Sequence, residues 1–133
     1  DSLFDFVAST DGACRSNPGG QGGWGVVLRD GDVTIEFQGV RSSTTNNRAE
    51  LIAILAALRF CEDGDRVLIR SDSKYAIRVS NKTWSASANL DLLQPIWDEI
   101  ERLEVHWKWV RGHDGDPDNE RADDLAREAA HLT

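Results

Sequence analysis

The spacing of hydrophobic residues changes repeatedly along the chain, and these changes predict nine elements of secondary structure. Short runs rich in β-branched and aromatic residues, such as 3–9 and 66–71, indicate strands. Residues 46–61 instead repeat their hydrophobic positions with the period of a helix. Asp30-Gly31 lies between two β-rich runs and is a strong hairpin signal. The predicted order is βββαβααβα, with elements at residues 3–9, 24–29, 33–40, 46–61, 66–71, 73–83, 91–103, 104–110 and 119–131.

This order predicts an α/β fold built on one mixed sheet. Asp30-Gly31 makes the second and third strands an antiparallel hairpin, and the three leading strands are expected to form the antiparallel side of the sheet. Crossover helices then make the remaining strands parallel. With 133 residues the chain has room for one domain and is too short for two ordinary ones, so we expect a single domain over 1–133.

Composition indicates the cellular compartment of this domain and whether it meets a membrane. No hydrophobic run approaches the roughly 20 residues of a membrane helix, so no membrane partner is expected. The two cysteines, Cys14 and Cys61, cannot form a disulfide framework, which favours a reducing compartment and a cytoplasmic location. We expect a monomer.

The charge balance, taken alone, argues against a nucleic-acid partner. Twenty-three acidic residues against fifteen Lys and Arg give a formal net charge of −8. Proteins that bind nucleic acids usually present a basic face, because the release of counterions drives phosphate binding. A total does not say where the charges lie, however, so their positions must decide.

Two apparent motifs fail on their context. Residues 20–25 match GxGxxG, but a hairpin follows them where a dinucleotide site requires a helix, so they are interpreted as turn glycines. Asp114, Asp116 and Asp118 have the spacing of a calcium loop. The sixth and twelfth positions of that loop lack the required Gly and Glu, which excludes an EF-hand.

Four acidic residues are better placed for chemistry. Asp11 and Asp72 follow two predicted central strands, at the sheet edge where α/β folds place their sites. Glu50 and Asp123 each lie about one turn into a helix. Four converging carboxylates repel one another unless cations lie among them, and an oxygen-only set suits Mg²⁺ or Mn²⁺ rather than zinc.

Each acid also has an ordinary structural interpretation. Asp72 could cap the following helix, and Asp11 before Gly12 could be a turn residue. Glu50 could complete a capping box with Asn47, and the helix dipole could favour the negative charge of Asp123 near the N-terminus of its helix. From spacing alone, these interpretations remain open beside the metal site.

Five segments occur in order along the chain: Thr10-Asp11-Gly12-Ala13-Cys14 with Asn17-Pro18-Gly19, Thr44-Thr45-Asn46-Asn47-Arg48-Ala49-Glu50, Ser71-Asp72-Ser73-Lys74-Tyr75, Trp109-Val110-Arg111-Gly112-His113 and Asn119-Glu120-Arg121-Ala122-Asp123. Together they resemble ribonuclease HI, and the resemblance covers residues 4–131. It implies a ribonuclease H-like fold, with a five-stranded mixed sheet flanked by helices, in agreement with the order predicted from periodicity.

The resemblance also implies an activity and a catalytic set. Asp11, Glu50, Asp72 and Asp123 would ligate two divalent ions, Mg²⁺ or Mn²⁺, and His113 would assist proton transfer or product departure. The implied reaction is endonucleolytic hydrolysis of the RNA strand of an RNA/DNA hybrid by in-line attack of water. Its products would carry 5′-phosphate and 3′-hydroxyl ends.

Substrate contacts follow from the same resemblance. Residues expected to read RNA 2′-hydroxyls are Asn17, Asn46, Asn47, Lys74 and backbone groups near Cys14. Thr45 and Asn89 resemble phosphate-pocket residues for the DNA strand, and Trp84 resembles a tryptophan of the DNA channel. Lys74, Arg78 and Lys82 recur every four residues toward Trp84, which indicates either a basic stripe or a solvated helix face.

Three departures qualify the resemblance. Residues 83–90 replace a basic protrusion that many bacterial members carry, and they contain no Lys or Arg. Ser43 stands where the phosphate pocket commonly has Arg. Asp114 and Asp116 flank His113, which would favour its charged form or recruit an extra metal.

Three other functions remain alternatives. The chain could be a catalytically silent module that binds RNA/DNA hybrids, although all four acids are present. It could be another nuclease or transferase of the wider fold, such as an integrase core, which should lack paired Asn46-Asn47 and the His113 loop. An interaction domain using Trp84 or Trp97 has no positive signal.

Overall fold

The computed structural model describes residues 3–131, so the outer residues of the predicted 1–133 domain lie outside the described part. Its elements follow the predicted order βββαβααβα. They are β1 (Phe6–Cys14), β2 (Gly22–Asp30), β3 (Val33–Arg41), α1 (Asn46–Phe60), β4 (Arg66–Ser71), α2 (Lys74–Ser80), α3 (Leu90–Arg102), β5 (Glu104–Trp109) and α4 (Pro117–His131).

The strands form one mixed sheet in the order β3-β2-β1-β4-β5, which confirms the predicted fold. β1 pairs antiparallel with β2, and β2 with β3, through short connections. β4 pairs parallel with both β1 and β5, because helices connect these strands. β1 therefore lies at the centre of the sheet, between an antiparallel and a parallel neighbour.

Helices cover both faces of the sheet. The larger hydrophobic core joins one face to α1, α2 and α3 through residues such as Val26, Leu51 and Ile96. Val27 points the opposite way from Val26, since strand side chains alternate, and it packs against Ala122 and Leu125 of α4. In the part of the chain from 3 to 131, no helix is long and apolar enough to cross a membrane.

Glycines on β2 determine how closely α4 approaches the sheet. A Cβ atom at Gly25 would lie 2.6 Å from both the Ala122 carbonyl oxygen and Leu125 Cβ, and one at Gly23 would overlap the Ala126 carbonyl. These two glycines of the GxGxxG string thus allow helix-on-strand packing. That close approach packs α4 against both β2 and β1.

Two helix boundaries differ from the prediction by more than one residue. α4 begins at Pro117 rather than 119, because the Asp116 carboxylate accepts hydrogen bonds from the backbone nitrogens of Asp118 and Asn119, both at 3.1 Å. α2 ends at Ser80 rather than 83, and Lys82 adopts a left-handed backbone conformation with φ of 64°.

Candidate active site

Three carboxylates meet at one edge of the sheet. One oxygen each from Asp11, Glu50 and Asp72 lies within 4.8 Å of the other two. They line a cleft of about 460 Å³ that also includes Asp123 and His113. All five predicted catalytic residues therefore line one cleft, and three of them form a tight cluster.

Strand register explains why Asp11 and Asp72 are neighbours. The parallel pairing of β1 with β4 ends at Thr10 and Ser71, so the next residue on each strand is one of these aspartates. The sequence analysis placed Asp11 after the end of its strand. In the structure β1 instead continues through Asp11 by pairing with β2, where Asp11 lies opposite Gly25. This extended pairing fixes the Asp11 backbone.

Gly12 brings Glu50 to the two aspartates. A Cβ atom at Gly12 would overlap the backbone of Ala49 and Glu50, so only glycine permits this contact between β1 and α1. The Gly12 backbone N–H donates to Oε1 of Glu50 and to Oδ1 of Asp11, the latter at 2.9 Å. One backbone amide thus orients two carboxylates of the cluster.

Helix capping does not account for these acids. Thr45 caps α1 by accepting from the Arg48 backbone nitrogen at 3.1 Å, which places Glu50 beyond the capping-box position. Ser73, not Asp72, caps α2 by accepting from the Ala76 nitrogen at 3.0 Å. Asp123 is the seventh residue of α4, past the first turn where the helix dipole acts.

Burial gives the cluster unusual protonation behaviour. Burial raises the pKa of Asp11 to about 7, and the negative charges of Asp72 and Asp123 add to the effect. Burial also raises the pKa of Glu50 well above its ordinary range, assisted by the charge of Asp11. The pKa of Asp72 is raised too, mainly by burial. Ionisation of these three carboxylates is therefore unfavourable unless a cation binds among them.

This donor set fits divalent cations. Hard oxygen ligands in a compact group suit Mg²⁺ or Mn²⁺, and the cluster contains neither the nitrogen nor the sulfur ligands that zinc sites use. A bound cation would offset the repulsion that raises these pKa values.

The raised pKa values predict that stability falls with increasing pH when divalent cations are removed. The unfolded chain releases the Asp11 proton near pH 4, whereas the folded protein holds it to about 7. The contribution of Asp11 to the stability of the fold is therefore greatest below pH 4 and is lost as the pH rises toward 7. We expect the melting temperature in EDTA to fall between pH 5 and pH 8, as measured by circular dichroism.

Asp11→Asn is the variant that tests the origin of this slope. It should flatten the decline, since Asn has no proton to release, and saturating Mg²⁺ should reduce the decline in the wild type. Carboxylates whose pKa is lowered by ion pairs, such as Asp116 beside Arg70, titrate below this window. A melting temperature that rises from pH 5 to pH 8 in EDTA would contradict the electrostatic description.

The β5 end holds Asp72 and introduces His113. The Trp109 indole N–H donates to the Asp72 backbone oxygen at 3.0 Å. A Cβ atom at Gly112 would lie 2.8 Å from Asp72 Oδ2, so glycine leaves room for the carboxylate. His113 follows with a left-handed backbone, φ of 58°, on an exposed loop at the rim of the cleft.

Asp123 occupies the cleft without joining the tight cluster. Among the described residues, the only group of three or more possible metal ligands within 4.8 Å of one another is Asp11, Glu50 and Asp72. Asp123 Oδ2 instead accepts from Arg127 Nε at 3.0 Å. Arg127 and His131 also line the cleft. Sequence analysis missed both as cleft residues, although their spacing of four and eight from Asp123 was an available signal.

The predicted RNA-reading residues lie beside the carboxylates. Asn46, Asn47 and Cys14 line the same cleft. Asn17 does not line this cleft, but its Oδ1 accepts a hydrogen bond from the backbone nitrogen of Asn46, which does, at 2.9 Å. Lys74 is not part of the cleft lining; its ammonium group packs 4.5 Å from the centre of the Trp109 ring.

A second pocket of about 450 Å³ adjoins the first. Its lining comprises Asn17, Pro18, Thr45, Asn46, Asn47 and Asn89. Within it, Asn89 adopts a left-handed backbone, donates to the Tyr75 hydroxyl at 2.8 Å and accepts from Arg48 at 3.2 Å. The structure thus brings Thr45 and Asn89, the two predicted phosphate-pocket residues, together.

Three cations of the predicted basic stripe pack on tryptophan rings. Besides Lys74 on Trp109, Arg78 lies 5.0 Å from the Trp84 ring centre and Lys82 lies 4.9 Å from that of Trp97. We call this surface the tryptophan face. Lys82 follows the end of α2, so the expectation of a single helical stripe is wrong. Within residues 3–131, these three cations form no ion pair.

Asp116 is not a partner of His113. Its carboxylate pairs with Arg70, and this hydrogen bond is the main reason why the pKa of Asp116 is lowered. It also caps α4. The expectation that Asp116 acts on His113 is therefore replaced by a structural role.

Comparison with known proteins identifies the family of this chain. A family model described as RNase H matches residues 5–131. The chain is 42% identical to the ribonuclease H of Novosphingobium aromaticivorans over 134 aligned positions, which cover 91% of this chain and 93% of that protein. It is 44% identical to the ribonuclease H of Marinobacter nauticus, with 90% of each chain covered.

Solved structures give the same result. RNase H1 from the halophilic archaeon Halobacterium salinarum superposes with a TM-score of 0.76 at 30% identity, covering 93% of this chain and 96% of that one. The N-terminal RNase H domain of a Mycobacterium tuberculosis protein has a TM-score of 0.82 at 23% identity, covering 96% and 94%, a likeness of fold. The chain therefore belongs to the ribonuclease H family of nucleases.

Proposed function

We propose that this chain hydrolyses the RNA strand of RNA/DNA hybrids as a metal-dependent endoribonuclease, acting as a monomer with one domain over 1–133. The observation that carries the proposal is the cluster of Asp11, Glu50 and Asp72 on the floor of an open cleft whose rim holds Asn46 and Asn47. The free thiols of Cys14 and Cys61 support work in a reducing cytoplasm.

Asp11, Glu50, Asp72 and Asp123 are the residues that would hold two divalent cations, Mg²⁺ or Mn²⁺. When bound, such ions supply activation of the attacking water and stabilisation of the leaving 3′ oxygen, giving 5′-phosphate and 3′-hydroxyl ends. The protein's contribution is orientation: the Gly12 amide fixes Glu50, and the Trp109 indole fixes the backbone at Asp72.

His113 is the group proposed to move protons. Its loop places it at the rim of the cleft that the carboxylates also line, and the residue is exposed to solvent. An exposed imidazole at the rim can exchange protons with water between turnovers. It would assist proton transfer or the departure of the product.

Selection of RNA requires groups that recognise 2′-hydroxyls. A hydroxyl both donates and accepts hydrogen bonds, and so do asparagine side chains and backbone amides. Asn17, Asn46 and Asn47, with the backbone near Cys14, provide these groups along the cleft and the adjoining pocket.

The DNA strand would be held by the second pocket and by the tryptophan face. Thr45 and Asn89 offer polar groups for a DNA phosphate, although the Asn89 amide is already bonded to Tyr75 and Arg48. On the tryptophan face, Lys74, Arg78 and Lys82 are not neutralised by described acids and can meet phosphates. Trp84 is 44% exposed and offers a surface for sugar and base contact.

A catalytically silent hybrid-binding module is the second candidate. Such a module has no need of clustered, buried carboxylates, which weaken phosphate binding and destabilise the fold. The raised pKa values of Asp11 and Glu50 are the observation against it, because this electrostatic cost is explained by a metal-dependent reaction.

The two candidates are separated by one panel of substrates. The protein is incubated with end-labelled RNA annealed to DNA, single-stranded RNA, double-stranded RNA and double-stranded DNA, each with Mg²⁺, Mn²⁺ or EDTA. We expect cutting of the hybrid alone, only with metal, and RNA products that a ligase specific for 5′-phosphate and 3′-hydroxyl ends can rejoin. Binding of the hybrid without any cutting would instead support the silent module.

A further inference from the structure

Arg127 bridges two neighbouring acids at the rim of the catalytic cleft. Its Nε donates to Asp123 Oδ2 at 3.0 Å, and its NH2 group donates to Asp124 Oδ1 at 2.8 Å. Because Asp123, Arg127 and His131 are spaced by four residues on α4, they share one face of the helix, and all three line the cleft. A cation of the protein therefore already occupies the fourth carboxylate.

The position of Asp123 is consistent with this occupation. Asp11, Glu50 and Asp72 are buried or half-buried and lie within 4.8 Å of one another, whereas Asp123 lies outside that group. Its side chain is only 17% exposed, and its Oδ2 accepts a hydrogen bond from Arg127 Nε at 3.0 Å. A divalent ion that uses Asp123 must compete with this guanidinium for the same carboxylate.

We infer that Arg127 is a positioning residue that competes with the second divalent cation for Asp123 and so separates the affinities of the two ions. This inference rests on the proposed metal site. The first ion binds the three-carboxylate cluster without displacing any cation of the protein. The second ion must displace Arg127 Nε from Asp123 Oδ2 or share the carboxylate with it, and Arg127 can then rely on its bond to Asp124 Oδ1.

The solvent exposure of Arg127 determines how strongly it competes with a divalent cation for Asp123. The Arg127 side chain is 59% exposed, and exposed ion pairs between residues four apart on a helix are weak. Arg127 therefore cannot block a divalent ion, but it can weaken binding at the second position. The magnitude should be roughly two- to fivefold in the dissociation constant.

Isothermal titration of Mn²⁺ into metal-free protein measures this effect without relying on activity. Arg127→Ala should tighten the weaker Mn²⁺ binding step by roughly two- to fivefold, and Arg127→Lys should restore most of the wild-type value. Arg121→Ala is the matched control, since Arg121 lies on the same helix and pairs with Glu36 and Glu128 away from the cleft. Arg121→Ala removes the same charge and should leave the dissociation constant of the weaker Mn²⁺ step within about 1.5-fold of the wild-type value.

A second pair of proteins tests whether the effect passes through Asp123. In the Asp123→Asn background, Arg127→Ala should no longer change Mn²⁺ binding, because the contested carboxylate is gone. A gain in affinity that persists in this background overturns the inference, and so does an equal gain in Arg121→Ala. Mn²⁺ binding to the wild type with no response to Arg127→Ala also overturns it. Absence of Mn²⁺ binding in every protein overturns the proposed metal site as well.

Discussion

Replacing Asp72 with Asn is expected to lower hybrid cleavage at saturating Mg²⁺ by at least about 10³-fold, a loss of several kcal/mol of transition-state stabilisation. Asp72 is one of three carboxylates within 4.8 Å of one another, and Asn has the same size but supplies no charge to a cation. Its backbone bond from Trp109 does not involve the side chain and should persist. The loss should appear in single-turnover cleavage of a labelled hybrid.

The same variant should be more stable than the wild type when divalent cations are removed. Burial and neighbouring charge raise the pKa of Asp72, so its ionised form destabilises the fold at pH 8. We expect a higher melting temperature in EDTA together with the loss of activity. Asp32→Asn, the same change at an exposed position on the β2–β3 hairpin, should alter neither property. Asp72→Asn protein that is less stable in EDTA, or that cleaves at the wild-type rate, would contradict this description.

Among the variants proposed for this protein, Gly12→Ala is expected to cause the largest loss of stability, about 3–5 kcal/mol in the free energy of unfolding. The added Cβ atom would overlap the backbone of Ala49 and Glu50, which cannot move aside as a flexible side chain can. Moving α1 outward would also break the amide contact that orients Glu50. Urea unfolding followed by circular dichroism measures the change.

Gly31→Ala is the matched control for that measurement. Gly31 has a left-handed backbone with φ of 59°, but a Cβ atom there meets nothing within 4 Å. Its cost should be limited to backbone strain, about 1–2 kcal/mol. Equal losses for the two variants would show that close packing between β1 and α1 is not what Gly12 provides.

The periodicity of the sequence predicts the fold because most elements bury one face in a regular pattern. The limits of β4 are predicted without error, since a hydrophobic centre is bounded by polar residues on both sides. The start of α4 is not, because capping by Asp116 precedes Pro117 in a polar stretch without periodicity. The extension of β1 through Asp11 depends on pairing with β2, a contact between distant segments that local patterns do not contain.

The sequence predicts the parts of the candidate site that depend on strand ends and motif spacing. Parallel pairing of β1 with β4 makes the approach of Asp11 to Asp72 foreseeable. The role of Gly12 depends on a three-dimensional packing distance. The spacing of Arg127 from Asp123 was a signal in the sequence, but Arg121 also pairs with an acid of α4, so spacing alone does not single out Arg127.

Anomalous diffraction from crystals soaked in Mn²⁺ tests the central claim most directly, because it locates the ion without assuming an activity. We expect a peak coordinated by oxygens of Asp11, Glu50 and Asp72, at about 2.1 Å from each ligand oxygen, and a weaker second peak toward Asp123. Crystals of Asp72→Asn soaked in the same way should lose the main peak. Mn²⁺ bound elsewhere with these carboxylates empty would contradict the assignment of this cluster as the catalytic metal site.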